Sequence, residues 1–222
     1  ANRMKFITSL NPRNIEKCRD VVSNWLLYLS EVVAVQTAEE VEILKPRFPE
    51  VQFVVTEDLD QTFDTKCPKL RALLAECPGI IINSDIEIHT DKETFNRKIA
   101  YQDESVLKCG VRWDYTNTID GPKKLNVYGI DVFNITDRLK NLLTDPVYTI
   151  GQPGWDYYFV LEANKANIKI MTQTKPAMFY HKVHPINWAR WKLTLAQSIL
   201  ERRYNASQSD ITRKIQRLTG RR

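Results

Sequence analysis

The chain has little of what most metal and nucleophile chemistry is built from. Of its 222 residues only three are histidine (His89, His181, His184) and four are cysteine (Cys18, Cys67, Cys77, Cys109). A histidine-rich metal centre is not expected from that count. No Cys-x-x-Cys spacing occurs, which argues against zinc or dithiol redox chemistry. The cysteines fall among apolar positions and read as buried thiols of a reducing compartment. The Gly-x-x-x-x-Gly-Lys-Ser/Thr phosphate loop, the Gly-x-Gly-x-x-Gly fingerprint and the Gly-x-Ser-x-Gly nucleophile turn are all missing. No run approaches the ~20 apolar residues that span a bilayer. The start, Ala1-Asn2-Arg3-Met4-Lys5, has no signal-peptide pattern. These absences predict a soluble protein, cytoplasmic or otherwise intracellular, although a chain trimmed of a leader or anchor would read the same.

What is present is an ordinary globular composition, 43% hydrophobic, with an uneven charge. The net charge is +5, yet the segment 188–222 holds nine basic residues against Glu201 and Asp210. That segment is therefore +7 and the first 187 residues are −2. A basic end on a near-neutral body fits a polyanionic partner, nucleic acid or acidic lipid, and equally a solvated helical face.

Strand-like and helix-like patterns alternate through the first half. Lys5–Ser9, Glu31–Gln36 and Val51–Thr56 read as strands. Ile15, Cys18, Val22, Trp25 and Leu29 recur at helical spacing. Thr37 with Glu40 predicts a capping box, and Pro68 the first turn of a helix carrying Leu70, Leu73 and Leu74. Gly79-Ile80-Ile81-Ile82 reads as a strand buried on both faces. The second half predicts a helix capped by Thr90 or Asp91 and running through Ile99. A strand over Val106–Trp113, a polar loop over Asp114–Lys124 and a strand over Val127–Ile135 follow. Thr136 caps a helix to Leu143, and another helix ends near Asn164. Strands near Ile168–Met171 and Ala177–His181 precede a helical stretch from Trp188. The alternation predicts an α/β fold with a mostly parallel sheet. The simplest organisation is one domain over 1–187 and a helical, basic C-terminal extension over 188–222.

The apolar strand at Ile80–Ile82 ends abruptly in Asn83-Ser84-Asp85-Ile86-Glu87. Carboxylates just past a buried strand sit where open α/β sheets bind ligands. Asp85 and Glu87 are two apart and share a face on extended backbone. Two hard oxygen donors can hold a divalent cation against a diphosphate.

Further polar elements are spaced along the chain. Thr8, Ser9 and Asn11 end the first strand, and Thr56, Glu57 and Asp58 end the third. Gly129-Ile130-Asp131, Gly154-Trp155-Asp156 and Tyr180-His181-Lys182-Val183-His184 come later. In this order, from about Met4 to Trp188, the set resembles a glycosyltransferase of the GT-A fold. The resemblance implies that Asp85-Ile86-Glu87 stands for the Asp-x-Asp element that binds the metal, Mn²⁺ or Mg²⁺, and the nucleotide-sugar diphosphate, a UDP-sugar foremost. Glu replaces the last Asp of that element. The resemblance also implies one late metal ligand, His181 or His184; on strand backbone these two point to opposite sides. Thr8, Ser9, Asn11, Glu57, Asn83 and Ser84 then belong to the donor side, and Arg112, Trp113, Asp131 and Trp155 to the acceptor side. Asp156 matches the carboxylate that takes the acceptor hydroxyl proton in inverting members; its alternative role is a helix cap. The spacing of Trp188 and Trp191 predicts core packing for that pair.

Small members of that fold glycosylate hydroxymethylated pyrimidines in DNA, and the basic end fits such an acceptor. Arg202, Arg203, Arg213, Lys214 and Arg217 are the candidate nucleic-acid contacts. A carbohydrate or protein acceptor is the alternative, with the basic end on an acidic membrane surface. Two other classes compete. A nucleotidyltransferase shares the acidic metal site but would carry glycines after its first strand, where Leu10-Asn11-Pro12-Arg13-Asn14 has none. A non-enzymatic nucleic-acid-binding module would be basic throughout.

Overall fold

Four short strands come first and run parallel. They are β1 (Phe6–Thr8), β2 (Val32–Gln36), β3 (Gln52–Val55) and β4 (Gly79–Ile82), ordered β3-β2-β1-β4 in space. Helices α1 (Ile15–Trp25), α2 (Ala38–Leu44) and α3 (Leu70–Leu74) lie in the connections. The Asn14 side chain caps α1 by accepting the Lys17 N–H, and Thr37 and Glu40 form the expected capping box on α2. Pro68 departs from expectation. It lies outside α3, before the N-cap Lys69, because an antiparallel bridge to Leu59 holds it extended. The computed structural model describes residues 3–116, 123–124, 129–144, 147–185 and 189–220.

The chain then reverses through β5 (Ile86–Ile88) and α4 (Lys92–Phe95), the latter capped by Asp91. The expected helix to Ile99 finishes as a π-helical turn, Asn96–Ala100, where the Asn134 side chain donates to the carbonyls of Ile99 and Ala100. The second half holds β6 (Val106–Tyr115), β7 (Lys123–Lys124), β8 (Ile130–Ile135) and α5 (Asp137–Leu142). It continues with α6 (Trp155–Lys165), β9 (Lys169–Gln173), β10 (Phe179–Lys182), α7 (Arg190–Tyr204) and α8 (Gln208–Leu218). Thr136 caps α5 as predicted. Val127, Trp188 and most of the polar loop before Lys123 lie outside the described residues.

β8 joins the sheet antiparallel to β4 and to β6. β6 is long enough to hold two partners in turn: β9 along Val106–Gly110 and β10 along Arg112–Tyr115, both parallel. Asp114 and Tyr115, expected in a loop, are therefore ladder residues, opposite His181 and Lys182. β5 closes the path antiparallel to β10. The result is the predicted α/β class, a mostly parallel sheet flanked by helices.

Alternate residues of the apolar strands enter opposite cores. Ile80 and Ile82 pack with Phe6, Trp25 and Phe95 on one face, while Ile7 and Ile81 pack with Phe133 and Phe159 on the other. This two-sided burial is why β4 carries no polar residue. The outer edge of β5 is held by side chains of α1 and the turn after it. Trp25 Nε1 donates to the Ile86 carbonyl at 2.8 Å, and Asn24 both accepts from Ile88 N–H and donates to its carbonyl. The Tyr28 hydroxyl also donates to the Ile88 carbonyl. The C-terminal helices pack on the body: Leu200, Ile211 and Ile215 enter the core of Phe133 and Phe159. Glu162 of α6 accepts hydrogen bonds from Arg203 and Tyr204. Among the described residues no helix is long and apolar enough to cross a membrane.

Gly110 is where β6 shifts register against β8, and a Cβ there would lie 2.2 Å from the Phe179 ring. Gly110→Ala should therefore lower stability by about 1–3 kcal/mol, read from the urea midpoint. An unchanged midpoint would sink this account of the glycine.

Candidate active site

Register, rather than sequence proximity, assembles the site. β8 is antiparallel to β4, so its start lies beside the end of β4, and Asn83 N–H donates to the Asp131 carbonyl at 3.1 Å. β10 sets His181 beside Asp114 of β6, and β5 sets Ile86 beside His181. Asp85, one residue before Ile86, is thereby delivered to the imidazole.

His181 Nε2 lies 3.1 Å from Asp85 Oδ2, and His184 Nε2 lies 3.4 Å from the same oxygen. Both histidines reach Asp85, contrary to the expectation from strand alternation. The reason is that β10 stops at Lys182, so His184 is beyond the ladder. His181 is 6% exposed, whereas His184 is exposed. Each ring has its other nitrogen engaged. His181 Nδ1 is 2.8 Å from Asp114 Oδ1, and His184 Nδ1 is 2.9 Å from the Pro185 carbonyl oxygen. Burial opposes charge on Asp85, but His181, His184 and Arg112 outweigh it and hold the carboxyl well below the usual range. Burial also opposes charge on His181, yet Asp85 and Asp114 raise its pKa; Asp85 raises that of His184.

Among the described residues, Asp85, His181 and His184 are the group able to hold a metal, their ligand atoms all within 4.8 Å of one another. Asp85 Oδ1 is buried without a hydrogen-bond partner, and His181 Nε2 has only the 3.1 Å approach of Asp85 Oδ2, which falls short of hydrogen-bond geometry. Such atoms are costly to bury unsatisfied, and a cation would satisfy both. One carboxylate and two imidazoles form a borderline donor set, which suits first-row transition metals as a class better than Mg²⁺.

A second layer lies beside this group. Arg112 Nε is 3.5 Å from Asp131 Oδ2, and Asn83 Nδ2 donates to Asp131 Oδ1 at 3.3 Å. Burial pushes the Asp131 carboxyl above its usual range, against the pull of Arg112. For Arg112 burial works the other way, but Asp131, Asp85, Asp114 and Asp156 together raise its pKa. Gly129 makes room, since a Cβ there would lie 3.2 Å from Arg112 Nε. Asp156 comes to the same end on the second residue of α6. The N-cap is Gly154, at φ 98°, and makes no side-chain cap bond. Asp156 Oδ2 instead accepts the Ile130 N–H at 3.2 Å, from the start of β8.

Other expected residues fall elsewhere. Glu87 is turned from the metal group: the Tyr115 hydroxyl donates to it and His89 Nε2 is 3.9 Å away. His89 first, then Tyr115, hold its carboxyl at about 2, against desolvation. Its backbone pairs with Tyr180, whereas Asp85 precedes the strand, so the two acids do not share a face. Trp155 is core, 4% exposed and edge-on to Phe133 and Phe159. Trp113 is half-buried and donates Nε1 to the Thr174 carbonyl. Trp191, expected in the core, is 47% exposed, while its partner Trp188 lies outside the described residues.

On the donor side Thr8 is buried, with its hydroxyl unpartnered; Ser9 and Ser84 are half-buried, and Asn11 and Glu57 are exposed. Arg202, Lys214 and Arg217 are exposed; Arg213 is ion-paired to Asp210. Arg203 bonds Glu162 and stands over the Tyr158 ring. One contributor was given no role in the sequence: Asp114, which falls at the start of the predicted polar loop.

No protein-family model matches this chain, and no curated protein matches it. Among solved structures it is similar to the apo-form glycosyltransferase GlyE of Streptococcus pneumoniae TIGR4, at 9% identity and a TM-score of 0.39. The similarity covers 96% of this chain and 63% of that one, so the chain spans less than two thirds of its length. A likeness this distant assigns no activity.

The raised imidazole pKa values have a consequence for the metal-free protein. A group whose pKa is raised on folding contributes stability below its unfolded value, about 6.5 for His, and loses it as pH rises through the folded value. Asp85, depressed on folding, contributes above about 3.9 and loses that as pH falls. In EDTA the cluster should therefore stabilise most between about pH 4 and 6.5. The thermal midpoint should drop from pH 6 to 8 more steeply in the parent than in Asp85→Asn. Parallel curves would show that these groups are not coupled.

Proposed function

We propose that the chain is a metal-dependent glycosyltransferase of the GT-A type. It would move a sugar from a nucleotide-diphosphate donor, a UDP-sugar foremost, to an acceptor hydroxyl, with inversion. The observation that carries this reading is the meeting of Asp85, His181 and His184 past the end of β4, with two buried ligand atoms unsatisfied. Asp85 and the two imidazoles would hold the divalent cation, Mn²⁺ or Mg²⁺. A bound divalent cation offsets the charge that grows on a departing diphosphate. Thr8, Asn83 and Ser84 stand at neighbouring strand ends; the half-buried Asn83 and Ser84 are the ones open to a donor, with Thr8 buried behind them. Asp156 takes the acceptor proton as the acceptor oxygen bonds the sugar carbon and the diphosphate oxygen leaves. The Ile130 N–H fixes its carboxylate for that task. Arg112 acts as the standing counter-ion of the site rather than as a free phosphate clamp, because Asp131 already pairs with it.

For the acceptor we propose DNA bearing a hydroxymethylated pyrimidine. The exposed cationic residues Arg202, Lys214 and Arg217 on α7 and α8 support a polyanion. Extrusion of the target base would cost a few kcal/mol.

Asp85→Asn should abolish Mn²⁺-dependent binding of UDP with the fold intact. Asp156→Asn should keep donor affinity and lower turnover by roughly 10²–10⁴-fold. A panel of nucleotide sugars, read by nucleotide release with and without Mn²⁺, tests both; a parent that releases no nucleotide from any donor overturns the reading. For the acceptor, removing α8 would strip Ile211 and Ile215 from the core, so charge reversal is the cleaner probe. Arg202→Glu with Lys214→Glu and Arg217→Glu should weaken duplex binding, and each lost phosphate contact should flatten the log–log salt slope by about 0.9. An unchanged slope moves the acceptor away from nucleic acid.

A further inference from the structure

We propose that Asp114 is the positioning residue of the cation site, fixing the ring and tautomer of His181 so that Nε2 faces the metal. This rests on the reading of Asp85, His181 and His184 as ligands. A neutral imidazole carries its proton on either nitrogen, and only the bare nitrogen can bind a cation. The acceptor that the other nitrogen meets decides which. In His181 that acceptor is the Asp114 carboxylate, 2.8 Å from Nδ1. A carboxylate only accepts, and of the two that face the ring Asp114 makes the shorter contact and the one with hydrogen-bond geometry, so Nδ1 is the donor; Nε2, 3.1 Å from Asp85 Oδ2 without a hydrogen bond, is left for the metal side.

The geometry is set by the sheet. Asp114 and His181 are register partners on adjacent parallel strands, and the contact spans 67 residues of sequence. With His181 buried, its ring has little room to turn over. His184 repeats the arrangement: its Nδ1 lies 2.9 Å from the Pro185 carbonyl oxygen, and its Nε2 faces Asp85 Oδ2. Two imidazoles with Nδ1 tied and Nε2 converging on one carboxylate are the outer-shell pattern of a metal centre. A merely structural His–Asp contact would not require the second ring to follow suit.

The test uses the full chain, with Mn²⁺ as probe and the free-ion electron-spin signal as readout. Asp114→Ala should weaken Mn²⁺ binding by about 10–100-fold, the usual cost of losing such a partner. Asp114→Asn, which keeps an acceptor oxygen without the charge, should lose less. Far-UV circular dichroism should match the parent for both. Histidine ¹⁵N spectra of the metal-free parent, taken above the imidazole pKa, should show His181 protonated on Nδ1; in Asp114→Ala that preference should fade. Parent-like affinity in a folded Asp114→Ala overturns the proposal. So does a parent spectrum with His181 protonated on Nε2, a result that does not depend on any variant folding. Asp85→Asn separates the premises: if it binds Mn²⁺ as tightly as the parent, the cation site itself is wrong, whatever Asp114 does.

Discussion

The site depends on a balance of charge. Asp85, Asp114, Asp131 and Asp156 all act on one guanidinium, that of Arg112, at the polar end of the sheet. Left alone, that many acids in a partly buried volume would repel one another and take up protons. Arg112 answers Asp131, and the imidazoles of His181 and His184 answer Asp85. Arg is suited to the central place because it stays charged whatever the burial. Removing one partner of such a pair leaves an uncompensated buried charge, at a cost of about 3–5 kcal/mol. The arrangement is thus fragile to single substitutions in a way that the apolar cores are not. Gly129 belongs to the same balance, since its bareness lets the guanidinium sit where it does.

Around that balance the fold provides rigid supports. Ile80 and Ile82 anchor β4 in one core and Ile81 in the other, so the turn at Asn83–Asp85 emerges from a strand fixed on both faces. β5, only three residues long, has β10 on one side and the side chains of Asn24, Trp25 and Tyr28 on the other. An edge with unpaired amides and carbonyls invites a foreign strand. Here the residues at the end of α1 close that edge, and Asp85 gains a stiff mount.

Much of this was legible in the sequence where the determinants are local. The capping box at Thr37 and Glu40, the helical spacing from Ile15 to Trp25 and the apolar run of β4 need only near neighbours. Asp85, Asp156, Arg112, Asp131 and both late histidines were legible as candidates because polar residues stood at strand and helix ends. Their pairings were not. Whether Arg112 is open to a ligand or pairs with Asp131 depends on β6 lying against β8, which no local pattern states. Asp114 looked like loop because its strand partner, His181, is 67 residues away. Trp155 was assigned to the acceptor side from its place beside Gly154 and Asp156; the first turn of α6 points it at Phe133 instead. Glu87 was paired with Asp85 by counting residues along an extended chain, yet the strand begins after Asp85.

The separation of the site's parts along the chain has a temporal meaning. Asp85 and His184 are 99 residues apart, and β10 lies between β6 and β5, both made before it. A ribosome releases the chain from the N-terminus at about 5–20 residues per second. For several seconds after Asp85 emerges, the nascent protein has acids at the end of β4 and no imidazoles to face them. The balance of charge around Asp85 is therefore completed only late in synthesis, once His181 and His184 have emerged.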